Sequence, residues 1–219
     1  MATCSAQRLT LDFFNRDCAA VAKDLLGKVI RVRYGKLTLP VKIIETEAYY
    51  MHEKASHASL GFTQKRKALF MPAGTIYMYY SRGGDSLNVS CKGDGNAVLI
   101  KSGIPYQDEL SDRVINKMQQ LNPKPSGQVR QIEKLCSGQT LLCRSLGLKV
   151  PDWDQLQFND DFYIADLGYQ PVSIFCTPRL GIPAGRDEHL MLRFVDSKYH
   201  QYSSKKVLQS TCHQVVTCL

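Results

Sequence analysis

Apolar residues recur at every second position on both sides of very short, glycine-containing turns, and this restricts the chain's topology more than any other feature. In residues 28–34, Ile30, Val32 and Tyr34 alternate with Arg31 and Arg33. Gly35-Lys36 then turns the chain into Leu37, Leu39, Val41 and Ile43, again alternating. Period-two alternation around a two-residue turn is the pattern of a β-hairpin. A second group of strands is expected at 75–81, 86–91 and 97–101, separated by Arg82-Gly83-Gly84-Asp85 and Gly93-Asp94-Gly95. Connections this short cannot carry a crossover, so neighbouring strands run antiparallel.

Helical spacing is confined to a few segments. Cys18, Val21, Ala22, Leu25 and Leu26 share one face, and Gly27 supplies a C-terminal cap. Residues 105–121 and 137–146 read as helices, the second with Ser137 as N-cap. Strands return at 162–164, 172–176 and 190–195. Strand runs with segregated helices predict an α+β fold. The expectation is one domain over residues 1–202, with a curved, mainly antiparallel β-sheet flanked by helices and a protruding β-hairpin. The proline-containing stretch 122–127 reads as a loop inside that domain, and 203–219 as a polar, partly disordered C-terminal tail.

The chain has 219 residues, 44% hydrophobic and 22% charged, enough to bury a sizeable core and too apolar for a disordered protein. No apolar run reaches the roughly 18 residues that span a bilayer. Residues 1–8 lack the apolar stretch of a secretion signal. The expected location is therefore neither membrane nor exterior, but cytoplasm and nucleoid in a bacterium, or nucleus in a eukaryote. Lys and Arg number 28 against 20 acidic residues, giving +8. That surplus suits a polyanionic partner through phosphate neutralisation, although net charge does not locate a patch. Eight cysteines include no Cys-x-x-Cys pair; Cys136 and Cys143, seven apart, fall on one helix face as core side chains. Cys212, His213 and Cys218 match no zinc spacing, so neither a metal nor a cofactor is expected.

The densest chemistry lies in Ile43-Ile44-Glu45-Thr46-Glu47-Ala48-Tyr49. Glutamates two apart at the end of an apolar strand point to the same face. A carboxylate there is desolvated on one side and reachable on the other, which suits a general base. The alternative is two solvated residues on an exposed sheet face. Tyr49, Tyr50, His57, Tyr77, Tyr79 and Tyr80 lie in segments able to converge near Glu47, with Tyr77 and Tyr79 on one strand face and Tyr80 on the other. Rings of this kind hold extruded nucleobases by stacking; as core filler, their hydroxyls would each need a partner.

Ile44-Glu45-Thr46-Glu47-Ala48-Tyr49 is followed by Ala55-Ser56-His57-Ala58, Gly74-Thr75-Ile76-Tyr77-Met78-Tyr79, Leu87-Asn88-Val89 and Gly93-Asp94-Gly95-Asn96-Ala97. Leu135-Cys136-Ser137-Gly138, Arg179-Leu180-Gly181-Ile182 and Leu192-Arg193-Phe194 complete an ordered set. Together they resemble the alkyladenine (3-methyladenine) DNA glycosylase family over residues 9–195. The resemblance implies a base-excision-repair hydrolase that flips an alkylated or deaminated purine from duplex DNA. In that resemblance Glu47 is the catalytic carboxylate that activates water, while Tyr49, His57 and Tyr79 sandwich the base. Asn88 excludes a guanine amine, and Lys101 stands where an arginine contacting the attacking water or a phosphate is expected. Glu45 is read as supporting or exposed rather than catalytic, His52 as a surface residue and Trp153 as a packing anchor. The implied partner is double-stranded DNA carrying damaged purines, bound by a monomer.

The family's hairpin carries a tyrosine before a glycine as a plug for the gap left by the flipped base. Here Arg82 precedes Gly83, so Arg82, with Tyr80 as substitute, is the expected wedge. Lys65, Arg66 and Lys67 are expected to touch backbone phosphate. Two other readings stay open: a catalytically weak lesion-recognition or single-strand-binding protein that kept the fold, and a hydrolase acting on RNA or nucleosides.

Overall fold

The hairpin expected at 28–43 is present, its strands joined through Gly35-Lys36 and built into a larger antiparallel sheet. In the computed structural model, which describes residues 7–81, 83–207 and 214–217, the chain begins with β1 (Gln7–Arg8), α1 (Leu11–Phe14), α2 (Cys18–Asp24), β2 (Val29–Tyr34) and β3 (Leu37–Tyr49). β4 (Ile76–Ser81), β5 (Gly84–Ser90) and β6 (Ala97–Pro105) follow, then α3 (Asp112–Leu121), α4 (Gln139–Leu146) and α5 (Val150–Trp153). β7 (Phe162–Asp166), β8 (Ser173–Thr177), β9 (Arg193–Asp196) and β10 (Gln214–Thr217) complete the fold. The described residues form one ten-stranded sheet in the order β1-β7-β2-β3-β6-β5-β4, with β9 also paired to β3, β8 to β9 and β10 to β8. This is the expected α+β class. No helix among the described residues is long and apolar enough to cross a membrane.

β3 is the strand that makes the site. Its first half pairs with β2, and Glu45–Glu47 pair with β9 on the same edge, while β6 runs along the other edge. Between β3 and β6 the register slips twice: Ile43 faces Gly103, Glu45 faces Ser102 and Thr46 faces Ile100. Ile44 and Lys101 are thus extra residues, and an extra residue reverses which side later side chains take. Before the slip, Leu39, Val41 and Ile43 enter the main core; after it, Ala48 does. Thr46 bonds the Ala22 carbonyl of α2 at 2.7 Å. Glu45, Glu47 and Tyr49 are therefore turned to the opposite face. The slip also lets consecutive residues Lys101 and Ser102 both serve that face.

The core beneath is apolar and closed, with Phe14, Leu25, Leu26, Ile30, Phe162 and Phe194 fully buried. Each such side chain contributes about 1.5–3 kcal/mol of burial. α2 ends at Asp24 with Leu25 at its C-cap, two residues before the Gly27 expected there; Gly27, at φ 85°, follows in the turn, and the Tyr169 ring occupies the space that a Cβ would need. Trp153 packs edge-on against Phe162 at 5.1 Å, as a packing anchor should. Cys136 and Cys143 are buried thiols of the core, Cys136 pushed up to about 12 by burial.

Several boundaries differ from expectation. Residue 105 ends a strand, and the helix begins only at Asp112, because Ser111 caps it by accepting from the Val114 amide. Gly138 rather than Ser137 stands at the N-cap of α4; Ser137 donates instead to the Ser203 carbonyl at 3.0 Å. β9 starts at Arg193, since Leu190 and Leu192 lie in an irregular approach. The β4–β5 turn is tighter than expected, with Ser81 already paired to Gly84. In the tail, 203–205 are hydrogen-bonded into the fold and 214–217 form β10. Cys212, His213 and Cys218 lie outside the described residues.

Candidate active site

The two glutamates end in different circumstances. Glu45 is fully buried, which removes the exposed one of the two readings offered for it, supporting or exposed. Its Oε1 accepts from Arg193 Nε at 2.7 Å and from Ser204 Oγ at 2.7 Å. Its Oε2 accepts from Ser102 Oγ at 2.5 Å and the Ser204 amide at 2.7 Å. Four donors fill the roughly four acceptor positions of a carboxylate. Glu47 is equally buried but less satisfied. Oε2 accepts from the Tyr49 hydroxyl at 2.7 Å and Lys101 Nζ at 3.4 Å, and Oε1 from the Leu180 amide at 3.3 Å. Among the described residues, one acceptor position, on Oε1, has no donor.

A cavity of about 490 Å³ opens beside Tyr49 and Lys101, the side chains bonded to Glu47; Glu47 itself is fully buried and not among the lining residues, so the side expected to be reachable is covered. Tyr49, His57, Tyr77, Tyr79, Asn88 and Lys101 line it, together with Ser137–Leu141 and Leu180–Ile182. Tyr77 and Tyr79 stack at 5.3 Å between ring centroids, and His57 lies 4.3 Å from Tyr79. His57 Nδ1 is 3.0 Å from the Tyr77 hydroxyl. Partial burial, with Arg66 and Arg186 nearby, lowers His57 from the ordinary histidine value. Burial and Glu47 push the Tyr49 hydroxyl well above the usual tyrosine range, which keeps it a donor. Asn88 is buried and donates to the Tyr77 carbonyl at 3.1 Å.

Of the residues singled out in the sequence, Tyr49, His57, Tyr79, Asn88 and Lys101 meet around this cavity, with Glu47 bonded to Tyr49 and Lys101. The rest lie outside it. Tyr80, on the other face of β4, is 65% exposed. Lys65, Arg66 and Lys67 sit on a 3-10 turn (Gln64–Phe70), where Lys65 and Lys67 are exposed and Arg66 donates to the His57 carbonyl at 3.2 Å. Arg82 lies outside the described residues. His52 is exposed, stacked on Tyr50 at 5.7 Å.

Two buried arginines went unread. Arg179 stands 4.5 Å from the Tyr49 ring centroid, is paired with Glu53 and donates to the Ala48 carbonyl at 2.9 Å. Arg193 holds Glu45. Both fall in segments that carried the resemblance, yet a sequence does not say which carboxylate an arginine will meet.

The site is thus a buried carboxylate next to a cavity walled by aromatic side chains. Residues 12–200 match the family described as methylpurine-DNA glycosylase (MPG). A protein of Pseudomonas savastanoi pv. phaseolicola named "Putative 3-methyladenine DNA glycosylase" is 57% identical over 199 residues, 90% of this chain and 89% of its own. One of Pseudomonas aeruginosa (strain LESB58) with the same name is 55% identical over 206 residues, covering 93% and 86%. A namesake in Koribacter versatilis is 33% identical over 203 residues, covering 90% and 93%. The chain belongs to the methylpurine-DNA glycosylase family. It is, by that membership, a DNA glycosylase, a hydrolase of N-glycosyl bonds.

Proposed function

We propose that this protein removes an alkylated or deaminated purine from double-stranded DNA, after flipping the nucleotide into the cavity, by water attack at the anomeric carbon. The observation that carries the reading is Glu47, a buried carboxylate with one acceptor position that has no donor among the described residues, next to a cavity walled by Tyr49, His57, Tyr77 and Tyr79. Water adds its oxygen to C1′ as the bond from C1′ to the base nitrogen breaks. The electron pair of that bond leaves with the base, and Glu47 takes a proton from the water. A cationic lesion departs as a neutral purine, so little acid assistance is needed.

The rings supply binding. Stacking contributes ~1–3 kcal/mol per base, and electron-rich faces favour a cationic purine. Asn88, fixed through the Tyr77 carbonyl, presents a rigid edge suited to excluding a guanine amine. Lys101 keeps positive charge beside Glu47 but not the planar fork of an arginine. Lys65, Arg66 and Lys67 are suited to backbone phosphate, and Tyr80, exposed on β4, to the gap left in the duplex. The water route requires no covalent enzyme intermediate, so the product is an abasic site in an intact strand.

The test is single-turnover excision from oligonucleotides each carrying one lesion (3-methyladenine, 7-methylguanine, hypoxanthine or etheno-adenine), in duplex and single strand. The expected result is base release from duplex, with strand breaks only after alkali. Excision confined to single strands would favour an RNA or nucleoside substrate. Tight duplex binding without release would favour the lesion-recognition reading.

A further inference from the structure

The β3–β9 register places Arg193 directly opposite Glu47, while Glu45 is opposite Val195. Directly paired residues of antiparallel strands project to the same face, with side chains within reach of one another. Arg193 is nevertheless bonded to Glu45, not Glu47. Its three nitrogens are all committed: Nε to Glu45 at 2.7 Å, Nη1 to Thr177 Oγ1 at 3.1 Å and Nη2 to the Lys205 carbonyl at 2.7 Å. Glu45 in turn binds Ser204 twice, and Ser204 lines the cavity beside Ser137 and Gly138. Ser102 Oγ donates to Glu45, and accepts from the Gly138 amide at 3.0 Å, so the same cluster fixes the approach to α4.

We propose that Glu45 is a positioning residue: it draws Arg193 away from Glu47, and through the same contacts straps residues 203–205 onto the cavity wall. The inference rests on Glu47 being the base. An arginine bonded to Glu47 would occupy the open Oε1 position and weaken the carboxylate as a proton acceptor, because a guanidinium forms a charge-assisted, often two-pronged bond. Glu45 prevents this by offering Arg193 the better-placed carboxylate. The other groups facing Glu47 are Lys101 from β6, Tyr49 from β3, Tyr79 from β4 and the Leu180 amide, with Arg179 behind Tyr49.

The test is the pH dependence of single-turnover excision by the full-length protein carrying Glu45→Gln. With its charge gone, Glu45 releases Arg193. The expected result is a lower plateau rate and an acid limb moved to lower pH by about one pH unit or more, as a new close cation does to a carboxylic acid. The double variant Glu45→Gln/Arg193→Met removes the relocated cation and returns the limb to its original pH. A purely structural Glu45 would lower the rate and thermal stability with the limb unmoved in both variants, and that result overturns the proposal. If Glu45→Gln does not fold, Glu45→Asp answers the same question: its shorter reach frees Arg193 in part, so the limb moves in the same direction by less, and an unmoved limb is again decisive against. Glu47→Gln is the control. Excision surviving it would overturn the reading of Glu47 itself, whereas excision lost there with an unmoved limb at Glu45 would overturn only this inference.

Discussion

Tyr49→Phe removes one hydroxyl and keeps the ring, so it separates the support of Glu47 from the stacking of a base. Of the three donors on Glu47, the Tyr49 hydroxyl at 2.7 Å is the shortest; Lys101 at 3.4 Å and Leu180 at 3.3 Å lie near the outer limit of hydrogen bonding. A hydrogen bond to a charged group contributes about 1.5–3 kcal/mol, and Glu47 has no exposed surface through which bulk water could replace it. The variant should therefore lose about 2 kcal/mol at neutral pH, read as a lower urea midpoint with an unchanged m-value. A loss below about 0.5 kcal/mol would refute the assignment of Tyr49 as the principal donor to Glu47.

Tyr79→Ala removes a ring stacked on Tyr77 and in tilted contact with His57, and should raise the enzyme concentration giving half-maximal single-turnover excision by about tenfold or more. An unchanged value would remove Tyr79 from the base-binding wall. Replacing Lys65, Arg66 and Lys67 together by glutamine should lower the slope of log affinity against log salt by about 2–3, and an unaltered slope excludes them as phosphate contacts. Arg66→Gln takes away one of the cations that depress His57, so the imidazole titration followed by NMR should move upward towards the ordinary histidine value. In the wild type the depressed His57 contributes stability above the ordinary histidine range that is lost as pH falls, and that loss should diminish in the variant. A stationary titration would show that Arg66 does not act on His57.

Much of this architecture was legible in the residue order. The β2–β3 hairpin follows from alternation around Gly35-Lys36, and the cavity residues follow from aromatic and acidic positions on the expected strands. What the order concealed was the slip at Ile44. Leu39, Val41 and Ile43 predict the odd-numbered side of β3 as its core side, and by that rule Glu45 and Glu47 would be driven into the core. Only the partner strand, with its own extra residue Lys101, settles where the alternation reverses. The long-range partners were concealed for a related reason. Arg193 lies 148 positions from Glu45, and Ser204 lies 159 positions away in a polar tail that offers no periodicity to read. The start of α3 was misplaced because residues 105–111 are neither apolar-periodic nor strongly turn-forming, and the Ser111 cap decides the boundary locally.

The central claim is that Glu47 activates water against a flipped purine nucleotide. It is tested most directly by single-turnover excision with Glu47→Gln on a duplex bearing one 3-methyladenine, alongside binding to the same duplex. Glutamine keeps the size and the contact with Tyr49 but cannot take a proton at neutral pH. The account predicts that lesion binding persists while base release falls by about 10²-fold or more, the scale of a lost general base. Release at an undiminished rate would contradict it.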